Sequence, residues 1–155
     1  RTAYLNDYIR RNGVPEKPGL HEFLSWLKEH SIKVAVATST TRRVAEDYWK
    51  QSGIDQYINA SVCGDEVINS KPDPEIFLKA ASLLKVPIAA CMVAEDSING
   101  LKAARAAGAI SCMIPDLTPY TKKLFPFCDY VSPSLLTCKE ILLQTPEADK
   151  LKSWK

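Results

Sequence analysis

The sequence predicts an α/β domain built on a parallel sheet, and three observations carry that prediction. Short apolar runs recur along the 155 residues, each bounded by glycine, proline or small polar residues. Between them lie segments of about 10–15 residues with apolar side chains at helical spacing, the pattern of successive strand–helix–strand units. Clusters of hydroxyl, ammonium and carboxylate groups follow the runs, and in open α/β sheets ligands bind just beyond the carboxyl ends of the strands.

Each element has its own local signal. Leu5, Tyr8 and Ile9 stand at helical spacing and Gly13 ends that segment. Val14-Pro15-Glu16-Lys17-Pro18-Gly19 is a linker by composition, so residues 1–13 form a unit separate from the rest of the chain. Leu20, Phe23, Leu24 and Leu27 obey the i, i+3, i+4, i+7 rule of an amphipathic helix. Ile32-Lys33-Val34-Ala35-Val36-Ala37 predicts a strand, followed by the hydroxyl cluster Thr38-Ser39-Thr40-Thr41. Residues 42–52, with Val44, Ala45, Tyr48 and Trp49, predict a helix stopped at Gly53.

Ala60-Ser61-Val62-Cys63 predicts the next strand, with Gly64-Asp65-Glu66 and a loop after it. Asp73 suits a helix N-cap and Pro74 a first helical position, ahead of Ile76, Phe77, Ala80 and Leu84. Cys91-Met92-Val93-Ala94 is an apolar run closed by the acidic pair Glu95-Asp96. Ser97 then opens an alanine-rich helix that ends at Gly108. Residues 109–114 predict another strand and Asp129-Tyr130-Val131 a shorter one. Ser132-Pro133 begins a last helix with Leu135, Leu136, Ile141 and Leu142, and residues 147–155 are polar and fray.

Composition narrows the function classes. A net charge of +2 with no basic stripe gives no footprint for nucleic acid. No apolar run approaches the ~20 residues of a membrane span. The five cysteines are widely spaced, without a Cys-x-x-Cys, and three lie in apolar, strand-like runs. Buried reduced thiols of a cytoplasmic protein are the expectation.

Three polar clusters occupy corresponding places in successive units: Thr38-Ser39, Lys71 and Glu95-Asp96. A parallel sheet brings all three to one edge. A hydroxyl, backbone N–H groups and an ammonium suit a phosphate, and adjacent carboxylates suit the Mg²⁺ that accompanies it. Each piece also has a plain structural alternative. Thr38 can cap the following helix, a loop lysine is ordinarily solvated, and an acidic turn suits a helix N-terminus. Pro72 restrains Lys71 to extended backbone, which argues for a directed side chain. Asp65 and Glu66 read as a loop face, and neither His21 nor His30 is given a role.

Val34-Ala35-Val36-Ala37-Thr38-Ser39, Ser70-Lys71-Pro72-Asp73-Pro74-Glu75-Ile76-Phe77 and Val93-Ala94-Glu95-Asp96-Ser97-Ile98-Asn99-Gly100 resemble motifs two, three and four of the haloacid dehalogenase superfamily. The likeness is greatest to its beta-phosphoglucomutase-like phosphatase branch and spans about residues 18–145. The resemblance implies a Rossmannoid parallel sheet with helices on both faces, acting on phosphate esters such as sugar phosphates with Mg²⁺. It implies that Thr38 holds the transferring phosphoryl group, with Ser39 lining the same pocket. Lys71 neutralises that group and the nucleophile. Asp96 binds the metal, with Glu95 as a direct or water-linked partner.

One departure matters most. The family's first motif, Asp-x-Asp-x-Thr on the first strand, supplies the nucleophilic aspartate, and no such sequence occurs here. Residues 1–13 resemble the last helix of a helical cap, residues 14–19 a linker, residues 20–146 the core without its first strand, and residues 147–155 a tail. The expectation is an enzyme in the intact parent, phosphatase or phosphomutase, and an inactive 155-residue chain. Without that strand, the edges ending at Thr38 and Ala94 face an apolar gap. Either a separate amino-terminal piece remains bound there or the two edges close on each other. A non-catalytic phosphate-binding or interaction module derived from the fold is the alternative. A response-regulator-like receiver is a third, but it would want its acidic cluster early in the chain.

Overall fold

Parallel pairing divides the strands into two sheets. In the computed structural model, which describes residues 19–115 and 122–144, β1 (Ala35–Ala37) pairs with β2 (Ala60–Val62). Separately, β3 (Met92–Glu95), β4 (Ile110–Met113) and β5 (Tyr130–Val131) form a second parallel sheet with β4 in the middle. The helices are α1 (Leu20–Glu29), α2 (Arg42–Ser52), α3 (Glu75–Leu84), α4 (Ile98–Ala107) and α5 (Leu135–Gln144). The expected α/β order is therefore present, and among the described residues β1 and β3 are not paired, so the two edges have not closed on each other. The strands are also shorter than the apolar runs. Residues 32–34 lie outside β1, although Val34 still donates its N–H to the Asn59 side chain.

Helices cover both sides. Ile76, Phe77 and Ala80 of α3 and Ala103, Ala104 and Ala107 of α4 pack with Val62 and Val93 in one core. Phe23, Leu24 and Leu27 of α1 and Leu135, Cys138 and Leu142 of α5 pack with Cys112 and Ile114 in the other. The helical periodicity in the sequence is the consequence of these two faces.

Local stops fall where their residues dictate. Ser97 caps α4 by accepting from the Gly100 N–H at 3.1 Å. Gly108 closes the same helix at φ 85°, a left-handed conformation that glycine adopts without a Cβ penalty. Asp73 accepts from the Glu75 N–H at 2.9 Å, so its carboxylate does cap α3 even though Pro74 stands between it and the first helical residue. The expected cap remnant at residues 1–13, the linker as far as residue 18 and the tail at 147–155 lie outside the described residues. No helix among the described residues is long and apolar enough to cross a membrane.

Candidate active site

A pocket of about 500 Å³ opens at the carboxyl ends of β1 and β3, lined by Thr38, Ser39, Lys71, Glu95, Asp96 and the start of α4. All five residues singled out in the sequence thus meet at one place. Their connections are specific. The Lys71 ammonium donates to Glu95 Oε1 at 2.5 Å and to the Ala37 carbonyl at 3.2 Å, and lies 4.9 Å from the centroid of the Phe77 ring. Only 11% of each side chain in the Lys71–Glu95 pair is exposed, so this is a mostly desolvated contact between opposite charges.

Glu95 is tied down from its other oxygen as well. Oε2 accepts from the Asp96 N–H at 3.2 Å, the Ser97 N–H at 3.3 Å and the Ser97 hydroxyl at 3.0 Å. The carboxylate sits under the first turn of α4, where the helix dipole and free N–H groups favour negative charge. It fits there because residue 100 has no side chain: a Cβ on Gly100 would overlap the Glu95 carboxyl group. Asp96 lines the pocket beside it. Thr38 does not cap α2. Its hydroxyl oxygen instead accepts from the Thr40 N–H at 3.1 Å, and its own N–H donates to the Val62 carbonyl at 3.0 Å.

Two features that sequence reasoning missed hold the Thr38 loop in place. Arg42, at the start of α2, donates to both Glu66 oxygens at 2.8 Å and to the Ser61 hydroxyl at 2.7 Å. The guanidinium holds the Glu66 carboxyl below its usual range. A cation in a first helical turn opposes the dipole, which was the available signal that Arg42 has a carboxylate partner elsewhere. Gly64 donates to the Thr40 carbonyl at 2.9 Å and approaches Ser39 so closely that a Cβ would lie 2.7 Å from its carbonyl carbon. Asp65 and Glu66, read as a loop face, are this anchor: Asp65 accepts from the Arg42 N–H at 3.0 Å.

The loop that carries Lys71 is anchored by Glu75, whose oxygens accept from the Ile68 N–H at 2.9 Å and the Asn69 N–H at 2.7 Å. The Lys71–Pro72 peptide bond is cis. Those two backbone donors, the Ile68 N–H first, and then Lys79 push the Glu75 carboxyl down from 4.5 to about 2. A depressed folded pKa means that the stabilising anchor is present above pH 4.5 and is lost as pH falls through about 2. The Ile68 and Asn69 amide resonances should therefore hold their positions well below pH 4.5 and move with a midpoint near 2. A midpoint at 4.5 would show an unanchored loop.

For a metal, the donors match Mg²⁺ shared with a substrate, not an all-protein cage. Mg²⁺ takes one or two carboxylates and completes its shell with water and phosphate oxygens. Asp96 lines the pocket wall with such a carboxylate, and Glu95 is engaged by Lys71, by the Asp96 and Ser97 N–H groups and by the Ser97 hydroxyl. Among the described residues no group of three or more His, Cys, Asp or Glu is assembled to hold a metal.

The family model for haloacid dehalogenase-like hydrolases matches residues 2–108. The chain is 42% identical over 95 residues to a phosphorylated carbohydrates phosphatase of Thermotoga maritima, covering 61% of this chain and 44% of that protein. It is 36% identical over 127 residues to the protein CbbY of Rhodobacter capsulatus, covering 79% of this chain and 54% of that one. In structure it matches a putative beta-phosphoglucomutase from Thermotoga maritima with a TM-score of 0.76 and 32% identity, over 84% of this chain and 61% of that chain. The chain spans about half the length of these curated relatives. The motif pocket, the parallel α/β architecture and a family match over most of the sequence agree, and the chain belongs to the haloacid dehalogenase-like hydrolases.

Proposed function

We propose that the intact parent of this chain is a Mg²⁺-dependent phosphatase or sugar phosphomutase acting on a small phosphorylated metabolite through an aspartyl-phosphate. The observation that carries the reading is the Lys71 ammonium, held by Glu95 and the Ala37 carbonyl beneath a pocket lined by Thr38, Ser39 and Asp96. A phosphoryl group seated there would meet the Thr38 hydroxyl, Ser39 and the Lys71 charge. Asp96 would hold the metal, with Glu95 linked to it through water. Mg²⁺ supplies charge neutralisation at the phosphate oxygens. The nucleophilic carboxylate comes from outside these 155 residues. Its oxygen bonds to phosphorus as the ester P–O bond breaks. In the phosphatase, water then cleaves the acyl phosphate; in the mutase, a second hydroxyl of the sugar accepts the phosphoryl group.

The relative named for phosphorylated carbohydrates supports the substrate class. The similarity to a phosphatase and the pocket that gathers Thr38, Ser39, Lys71 and Asp96 favour the catalytic reading over a non-catalytic module. Five free cysteines, three of them buried, suit a reducing compartment such as the cytoplasm.

Two measurements test the roles. In the parent, Asp96→Asn should remove most Mg²⁺-dependent turnover of a sugar phosphate while leaving a cooperative thermal transition. Ordinary turnover at low Mg²⁺ would reject Asp96 as the ligand. In the chain itself, charge-assisted contacts of roughly 1.5–3 kcal/mol make Lys71→Met weaken vanadate binding by about tenfold or more. Unchanged affinity in a calorimetric titration would place the anion elsewhere.

A further inference from the structure

We infer that the Lys71 ammonium and a divalent cation take turns at Glu95 Oε1. An anion in the pocket draws the ammonium off that oxygen and opens it to the metal, or to the water on the metal, so anion and metal bind with positive coupling. The inference rests on the phosphate-and-Mg²⁺ reading above and adds the contact through which the two ligands sense each other.

The two oxygens of Glu95 are used differently. Oε2 accepts from the Asp96 N–H, the Ser97 N–H and the Ser97 hydroxyl at 3.2, 3.3 and 3.0 Å. Oε1 accepts from the Lys71 ammonium at 2.5 Å. A metal placed on Oε1 would stand against that ammonium at contact distance. Like charges that close disfavour each other, and solvent screens them little where each side chain is only 11% exposed. Oε1 therefore takes one cation at a time, and in this structure it takes the ammonium.

Neither partner is stranded when the contact opens. Glu95 keeps its three donors on Oε2, and Lys71 keeps the Ala37 carbonyl at 3.2 Å and the Phe77 ring at 4.9 Å. The backbone ahead of Lys71 stays fixed, because Glu75 holds the Ile68 and Asn69 N–H groups. The exchange is thus a side-chain movement, for which lysine has a flexible stem and rotatable donors. Charge drives it. A phosphate-like dianion in the pocket lined by Thr38, Ser39 and Lys71 offers the ammonium more negative charge than one carboxylate does.

Linkage makes the effect reciprocal, so the metal raises anion affinity by the factor by which the anion raises metal affinity. Direct contact between metal and oxyanion couples them too, but the share carried by Lys71 has its own signature. Removing the ammonium should tighten metal binding when no anion is present, since Oε1 is then open from the start. A lysine that acts on the metal only by through-space repulsion gives a gain that does not depend on Glu95.

The test is calorimetric titration of the 155-residue chain with Mg²⁺, alone and with saturating vanadate, thermal transitions confirming that each variant folds. Vanadate should raise the wild-type Mg²⁺ affinity about fivefold or more, within the usual range for coupled sites. Lys71→Met should bind Mg²⁺ alone about tenfold more tightly than the wild type, the worth of one charge-assisted hydrogen bond, and gain less from vanadate. In a Glu95→Gln background the gain from Lys71→Met should shrink below about twofold, because the double-mutant cycle removes the shared oxygen. NMR of the wild type, which needs no variant, should show scalar coupling across the Lys71–Glu95 hydrogen bond without ligand and its loss at saturating vanadate. An equal gain in both backgrounds, no gain in either, or a scalar coupling that survives vanadate would each overturn the exchange and leave the phosphate reading standing. A wild-type chain that binds neither Mg²⁺ nor vanadate would overturn both.

Discussion

Glu95→Ala should cost about 3–5 kcal/mol of folding stability, the range for removing one partner of a buried ion pair. The substitution leaves the Lys71 ammonium, in a pair only 11% exposed, with the Ala37 carbonyl and the Phe77 ring as its remaining neighbours. It also removes the acceptor shared by the Asp96 N–H and by the N–H and hydroxyl of Ser97. A domain has only about 5–15 kcal/mol to lose, so the urea midpoint should fall sharply with little change in slope. Lys71→Met in the same background should recover part of the loss, because no unpaired charge then remains. A cost for Glu95→Ala below about 1 kcal/mol, the worth of an exposed pair, would mean that Lys71 reaches water freely.

Gly64→Ala should be nearly as damaging for a different reason. Its new Cβ would overlap the Ser39 carbonyl oxygen and lie 3.2 Å from Ser39 Cα. These are backbone atoms, so no rotamer change relieves the clash. The cost should approach about 3 kcal/mol, the upper part of the usual range for overpacking. The Thr38–Thr41 loop must also move, so vanadate affinity should fall in parallel. Gly108→Ala is the control: nothing lies within 4 Å of its Cβ, but φ is +85°. Backbone strain alone should cost it about 1–2 kcal/mol and leave anion binding unchanged. If both variants lose stability equally and neither affects binding, the Gly64–Ser39 contact does not shape the pocket.

Much of this protein was legible in its sequence. Leu20, Phe23, Leu24 and Leu27 specify the buried face of α1, and Ser97 and Gly108 specify where α4 begins and ends. Such signals work because periodicity and capping depend on residues within a few positions of one another. The order of strands and helices was likewise enough to bring Thr38, Lys71, Glu95 and Asp96 to one edge, since parallel topology carries every strand's carboxyl end to the same side.

The tertiary structure decided how those groups are used. That Glu95 turns to Lys71 while its other oxygen takes the Asp96 and Ser97 N–H groups depends on a contact between residues 24 apart. No local pattern encodes such a contact. The Arg42–Glu66 anchor joins residues equally distant in sequence, and the roles of Gly64 and Gly100 arise from what lies opposite them, Ser39 and Glu95. The gap between the edges ending at Thr38 and Ala94 was expected from the resemblance, but that these edges do not close on each other was decided by the tertiary structure. Each apolar run announces a strand, but which edges find a partner depends on the space between packed helices, and between β1 and β3 that space is left open.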